Sequence, residues 1–382
     1  MKFLHLSDLH IGKVVNGFSM LTEQRHVFLQ IIEYIDTLNP DAVLIAGDVY
    51  DKPIPGVDAV RLFDDFLTAI AEKNVTVIII SGNHDSSERL HYASRILEKR
   101  NLHICGIYEK TMKKVILSDA YGEVTFWQLP FIKPASIRSM FPERTVEDYG
   151  DAVNAVVESE EIDYKKRNVL LSHQFYTSKG QNPIRSESEI DPVGGLDAVD
   201  ANMISQFDYV ALGHLHRAQN IRDNVRYAGS PLKYSFSEWK HKKSITLVEL
   251  KEKGDCNITP LPLTPIHEMR EIKGPIAQLM SREVSDGGDK EDYLRVILTD
   301  EEELIDPMGK LRSVYPNVMA LDFDNTKSRI NKEALLFSNN QTETISPYEL
   351  FCDFYMEING SVMSEEQMEI VRSLLEEGEM KA

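Results

Sequence analysis

The chain has 382 residues, 42% apolar and 27% charged, which predicts two or three folded domains and excludes global disorder. Its 42 Lys and Arg face 61 Asp and Glu, a net charge of −19 that argues against a nucleic-acid partner unless local basic patches or bound cations reverse it. No apolar run nears the ~20 residues of a membrane helix, so no membrane partner is expected.

Cys105, Cys256 and Cys352 are scattered with no CxxC spacing, and "MKFLHLSDLH" lacks the pattern of a secretory signal. Both features predict a cytoplasmic protein with free thiols. From the start, strand and helix alternate. "KFLHLSD" reads as a buried strand, and the next stretch sets Val27, Phe28, Ile31, Ile32, Ile35 and Leu38 at helical spacing. "DAVLIAGD" is a strand, "VDAVRLFDDFLTAIAEK" a helix, "VTVIIISGNHD" a strand and "SSERLHYASRILEKR" a third helix. Further strands are expected in "VTFWQLPFI", "RNVLLSHQ", "FDYVALGHLH", "VRYAGSP" and "SITLVEL". Continuous apolar strands between helices predict an α/β fold with its sheet covered on both faces.

Near Pro260 the texture changes, and "LPLTP" reads as a linker. Beyond it, "HEMREIKG" to "NVMALDFDN" reads strand, helix, strand, helix, strand, a small separate α/β unit. "SNNQTET" is a polar spacer ahead of two short helices. Ser346-Pro347 opens the first and Gly360 stops it, and the capping box "SEEQ" from Ser364 opens the second. The expected organisation is therefore 1–258, 265–332 and 346–382.

Five strands end in the same kind of chemistry. "SDLH" offers Asp8 and His10, "GDVYD" offers Asp48 and Asp51, and "GNHD" offers Asn83, His84 and Asp85. "LLSHQ" adds His173, and "GHLH" adds His214 and His216. Ligands of layered α/β sheets bind where strand ends meet loops, so distant segments can converge there. Carboxylates, imidazoles and one amide oxygen, without thiolate, suit a borderline or moderately hard cation. Seven ligands, Asp8, His10, Asp48, Asn83, His173, His214 and His216, are too many for one ion and about right for two. Asp48 is the natural bridge, and His214 and His216 complete different shells. His84 is left for the scissile phosphate or the leaving oxygen. Asp51 and Asp85 are either orienters of ligands or plain turn residues.

These motifs in this order resemble the calcineurin-like metallophosphoesterase signature. The fuller strings "FLHLSDLHIGK", "LIAGDVYDKPIPG", "IIISGNHDSSERL", "LGHLHRAQ" and "YAGSPLKYSFSE" are similar to the bacterial SbcD-type nucleases. The resemblance spans the whole chain. It implies a four-layer α/β/β/α sandwich, a small α/β capping domain that contacts DNA, and C-terminal helices. It implies one metal on Asp8, His10, Asp48 and His216, a second on Asp48, Asn83, His173 and His214, and catalytic assistance from His84. It also implies two manganese ions, 3′-to-5′ exonuclease action on duplex ends, and endonuclease action near hairpins and blocked ends. One departure stands out: archaeal and eukaryotic relatives carry a histidine where this chain has Asp51.

The resemblance further implies an SMC-like ATPase partner of the SbcC type, bound through the C-terminal helices, and roles in DNA repair, recombination and replication. It implies a homodimer, hence a heterotetramer with the ATPase, formed through nuclease-domain helices for which 57–73 and 86–100 are the expected segments. The C-terminal stripes Leu350, Phe351, Phe354, Tyr355 and Met368, Val371, Leu374, Leu375 suit either mutual packing or docking of a partner. Phosphate contacts are expected from Arg217, Lys233, Lys240, Lys242 and Lys243, although clustered lysines are more commonly a solvated face. Two other readings use the same residues. One is a metallophosphatase or cyclic-nucleotide phosphodiesterase. The other is an idle scaffold for an ATPase, which should have lost ligands that this chain keeps.

Overall fold

The structure is a computed structural model that describes residues 1–178, 183–186, 189, 198–326 and 328, with scattered positions between 351 and 371. Its first sheet is built from β1 (Lys2–Leu6), β2 (Ala42–Ala46), β3 (Thr76–Ile80) and β4 (Leu102–Cys105), all parallel. Two antiparallel strands, β11 (Ser244–Leu250) and β12 (Cys256–Pro262), extend it beyond β1. The second sheet runs β9 (Gln219–Arg222), β10 (Val225–Tyr227), β8 (Tyr209–Leu212), β7 (Arg167–Ser172), β6 (Gly122–Leu129) and β5 (Lys113–Asp119).

The strand sequences explain the layering. β2 and β3 read AVLIA and TVIII and are buried on both faces, as parallel strands between layers require. Phe3, Leu44, Ile78 and Ile80 of the first sheet pack on Phe126, Leu171 and Tyr209 of the second. Phe3 meets Phe126 edge-on at 5.4 Å and Tyr209 at 5.7 Å. On the outer face of the first sheet lie α1 (Leu21–Leu38) and α2 (Val57–Ala71), with Phe28 stacked on Phe66 at 4.4 Å. The outer face of the second carries α5 (Pro134–Met140) and α6 (Tyr149–Ser159). The expected α/β/β/α sandwich is the observed fold.

Two local expectations change. The helix read over 86–100 is interrupted: α3 (Ser87–His91) and α4 (Ser94–Leu97) are separated by Ala93 at φ 60°. His91 accepts a hydrogen bond from Gly106 N at 3.2 Å through Nδ1, so the helix end is committed to the loop after β4. The "LPLTP" linker is partly strand, because β12 pairs with β11 as far as Pro262. β12 is the sheet edge, where a missing N–H is tolerated.

A third sheet of parallel strands follows: β13 (Met269–Gly274), β14 (Tyr293–Leu298) and β15 (Val318–Phe323). With α7 (Ile276–Leu279), α8 (Arg282–Ser285) and α9 (Pro307–Arg312) it encloses its own core around Leu294, Val296, Leu311 and Val318. Fully buried Glu23 of α1 ties this unit to the sandwich. Its carboxylate accepts hydrogen bonds from Ile266 N at 2.7 Å, His267 Nδ1 at 2.6 Å and the Tyr293 hydroxyl at 3.3 Å. Near the C-terminus the capping box is formed: Ser364 Oγ accepts from Gln367 N at 3.3 Å, and Gln367 Oε1 accepts from Ser364 N at 2.9 Å. Ser346, Pro347, Leu350, Gly360, Leu374 and Leu375 lie outside the described residues. Among the described residues, no helix is long and apolar enough to cross a membrane.

Glu23→Ala strands the Ile266 N–H, the Tyr293 hydroxyl and both the ring and backbone N–H of His267 in the seam, each worth about 1–3 kcal/mol when left unpaired in the interior. The expected outcome is faster proteolysis of the 262–268 segment and a lower melting temperature. Wild-type proteolysis would show that Glu23 does not hold the two units together.

Candidate metal centre

Asp8 and His10 follow β1, Asp48 follows β2, Asn83, His84 and Asp85 follow β3, His173 follows β7, and His214 and His216 follow β8. All five segments leave the carboxyl ends of parallel strands, three from one sheet and two from the other. The turns there are tight. Asp8 (φ 51°), His10 (φ 43°), Asp48 (φ 49°) and His214 (φ 98°) sit in the left-handed region, where a side chain other than glycine is strained unless its surroundings hold it.

The side chains converge. His10 Nε2 lies 3.1 Å from His216 Nε2 and 3.6 Å from Asp48 Oδ2. Asp48 Oδ2 is 3.3 Å from His173 Nε2, which is 3.2 Å from Asn83 Oδ1. Asn83 Oδ1 in turn is 3.1 Å from His214 Nδ1. Three groups each place their donor atoms within 4.8 Å of one another: Asp8, His10 and His216; His10, Asp48 and His84; and Asp8, Asp48 and His173. Asp8 also accepts His214 N at 3.0 Å, which pins the "GHLH" turn of one sheet to the first strand of the other.

The electrostatics follow from burial. It pushes the Asp8 carboxyl up to about 6, with Asp48 adding to the rise against the pull of His173 and His216. Burial likewise holds His10 well below its ordinary range and, with His173 beside it, takes His214 down to about 3. Burial alone would raise Asp48, but the imidazoles of His173, His10 and His84 keep it below the usual carboxylate range. His173 is the counterpart: burial opposes its charge, yet Asp48 and Asp8 raise it to about 9.

The remaining expected residues separate into distinct surroundings. His84 donates its backbone N–H to Asp48 Oδ1 at 2.9 Å, and its Nδ1 lies 3.1 Å from the Asp51 carbonyl oxygen. Asp85 accepts Val49 N, Tyr50 N and Gly82 N at 2.9–3.1 Å, joining the loops after β2 and β3. Asp51 pairs with Lys13 at 2.8 Å and lies 3.7 Å from His10 Nδ1. Arg217, Lys240 and Lys242 are exposed and line a recess of about 310 Å³ that reaches His216.

Two of the expected phosphate contacts are turned inward. Lys233 is buried, donating to Glu268 at 2.5 Å and to the Trp239 carbonyl at 2.8 Å. Lys243 is buried against Glu238, Ser230 and the His216 carbonyl. Neither has a free ammonium for DNA, because burial demands that all such donors be paired.

Sequence reasoning passed over Glu238, Glu189 and Tyr234. Glu238 Oε1 lies 3.0 Å from His216 Nδ1, and Glu189 Oε1 accepts His216 N at 2.7 Å. The Tyr234 ring stands edge-on to His10 and His216 at 5.6 and 5.9 Å. The one available signal was the Ser235-x-x-Glu238 spacing. It reads as a capping box, and Ser235 does cap the short turn Phe236–Glu238, but the carboxylate faces the site.

Glycine sets how closely the sheets approach. A Cβ on Gly213 would run into the Ala46 carbonyl oxygen and the His173 ring, whereas one on Gly56 would meet nothing within 4 Å. Gly213→Ala is therefore expected to displace His173, reduce divalent-ion uptake and lower thermal stability by about 1–3 kcal/mol, the usual penalty of overpacking. Gly56→Ala should leave both unchanged. Equal behaviour of the two variants in metal titration and thermal unfolding would contradict this account.

Residues 1–218 match the calcineurin-like phosphoesterase family, and residues 265–359 match the SbcD_C family, described as a type 5 capsule protein repressor C-terminal domain. Over 382 residues the chain is 31% identical to the SbcD subunit of the SbcCD nuclease of Staphylococcus epidermidis, covering 98% of each chain. Over 392 residues it is 34% identical to the SbcD subunit of Staphylococcus saprophyticus, covering 99% of this chain and all of that one. Similarity of this extent, over a sandwich whose strand ends gather carboxylates and imidazoles, identifies a metal-dependent phosphodiesterase: the chain belongs to the calcineurin-like phosphoesterases and, among them, to the SbcD nucleases.

Proposed function

We propose that this is a two-metal DNA nuclease that works with an SbcC-type, SMC-like ATPase in DNA repair, recombination and replication. One observation carries the reading. Oxygen of Asp48 and Asn83 and nitrogen of His10, His173 and His216 stand at successive separations of 3.1–3.6 Å, a set dominated by acceptors that calls for a cation among them. Mixed oxygen and imidazole ligation suits manganese, with magnesium or another divalent ion as a substitute. Asp8, His10, Asp48 and His216 would hold one ion, and Asp48, Asn83, His173 and His214 the other, with Asp48 shared.

Paired cations of this kind, when bound, neutralise a phosphodiester and lower the pKa of water. The chain's own residues supply the rest. His84 rests Nδ1 on the Asp51 carbonyl oxygen and leaves Nε2 to hand a proton to the departing oxygen, a contribution of about 10²–10⁴-fold. Asp85 ties down the loops that carry Asp48 and Asn83. Arg217, Lys240 and Lys242, exposed beside His216, would take the strand's phosphates.

The nuclease domain, expected over 1–258, takes in β12 to Pro262; 265–332 is the capping and DNA-contacting domain, and 346–382 the segment that binds the ATPase. The activities proposed, as the resemblance implies, are 3′-to-5′ exonuclease on duplex ends and endonuclease at hairpins and blocked ends. The proposal also includes a homodimer, a heterotetramer with the ATPase, and a cytoplasmic, nucleoid-associated location, as the resemblance implies. A dimer face near α2 and α4 is supported by the exposure of Val57, Tyr92 and Ile96, at 66%, 82% and 72%.

Digestion of end-labelled duplex DNA, set against turnover of a small phosphodiester, tests the substrate class. Chelation should abolish cleavage, and manganese should restore it better than magnesium. His84→Ala should bind metal normally and lose about 10²–10⁴-fold in cleavage rate. Preference for the small phosphodiester would favour a phosphatase-type enzyme. Removal of residues 346–382 should spare cleavage of simple substrates while abolishing co-purification with the ATPase. A persisting complex would relocate that interface.

A further inference from the structure

The two histidines that point Nε2 into the centre from the second sheet are backed differently. His173 sets Nδ1 against a neutral group, the Ala46 carbonyl oxygen, at 2.6 Å. His216 sets Nδ1 against a carboxylate, Glu238 Oε1, at 3.0 Å. Glu238 is fully buried, and its other oxygen accepts from Lys243 Nζ at 2.6 Å. Lys243 spends its two further donors on Ser230 Oγ at 2.8 Å and the His216 carbonyl oxygen at 2.9 Å. All three ammonium donors are thus used. Lys243, Glu238 and His216 close a ring that grips His216 by both its imidazole and its backbone.

We infer that Glu238 and Lys243 are positioning residues of the metal centre, a buried carboxylate–ammonium pair that fixes the tautomer of His216 and tightens the one ion that His216 holds. The inference rests on the two-ion reading above. Its logic is local. A carboxylate on Nδ1 demands a proton there, so Nε2 must present its lone pair toward His10 Nε2, 3.1 Å away. A carboxylate also makes the imidazole a stronger donor than a carbonyl does. Glu238 alone would be an uncompensated buried charge, and Lys243 supplies the compensation that keeps it ionised and in place. Buried ion pairs are weak sources of stability compared with apolar side chains of equal volume, so the pair's effect should be read at the ion.

The test is manganese(II) titration by calorimetry into chelator-stripped full-length protein, paired with thermal unfolding of the same metal-free samples. Wild type should take up two ions. Glu238→Gln, which keeps the shape and removes the charge, should weaken one of them about 10–100-fold while the other keeps its affinity. Lys243→Met should act in the same direction, though its unpaired carboxylate also lowers the melting temperature. The double variant Glu238→Gln/Lys243→Met removes both charges, so unfolding should return toward wild type while the weakened ion stays weak. Two ions at wild-type affinity in the folded double variant would overturn the inference, as would equal weakening of both. A wild-type protein that binds no manganese would instead sink the two-ion reading itself.

Discussion

Lone pairs do not gather in a protein interior by themselves. His10 Nε2 and His216 Nε2 face each other at 3.1 Å, and an Asp48 oxygen sits between His10 and His173; such a set is satisfied only when protons or a cation are shared among its lone pairs. The sandwich holds them there by force of packing. The aromatic seam of Phe3, Phe126 and Tyr209 locks one sheet over the other. Left-handed turns at Asp8, His10, Asp48 and His214 then aim the ligands, and bare glycines at 82 and 213 let the loops close to contact. Strain of this kind persists only where surroundings over-determine it, and here Asp8 and Asp85 stitch the turns through backbone N–H groups.

The segment from Lys233 to Lys243 joins three parts of the molecule. Lys233 reaches Glu268 at the entry to the third sheet, Glu238 and Lys243 back His216, and Lys240 and Lys242 face solvent. This division bears on how a chain at −19 would meet a polyanion. Within this segment the charge offered outward, on Lys240 and Lys242, borders the recess that reaches His216. Cations held in that centre would screen a phosphate from the acidic surface.

Much of the centre was legible in advance, because strand ends are local. A short apolar run that stops at Asp, His or Asn states both the element and the direction of the residues that follow, and five such stops in one α/β chain have one common destination. The interrupted helix at 87–97 was not legible. Its apolar spacing is continuous, and the break falls at left-handed Ala93, two residues after a His91 that accepts a hydrogen bond from Gly106, distant in sequence. Strand β12 was hidden by Pro260 and Pro262, which argue against a strand anywhere but at an edge, and edges are assigned only when the sheet is assembled.

The lysines show the same boundary most plainly. On the chain, Lys233, Lys240, Lys242 and Lys243 form one basic cluster with one expected role. In the fold, adjacent Lys242 and Lys243 part, one exposed and one buried, and two of the four vanish into ion pairs with Glu268 and Glu238. By itself the sequence determined the identities and order of the site residues and the alternation of strand and helix, since spacing and residue chemistry are written in one dimension. Which nitrogen each histidine presents, which carboxylate stands behind it and which lysines remain free are decided by what lies across a packed interface. Such partners are set by three-dimensional distance and desolvation, and neither is encoded in spacing along the chain.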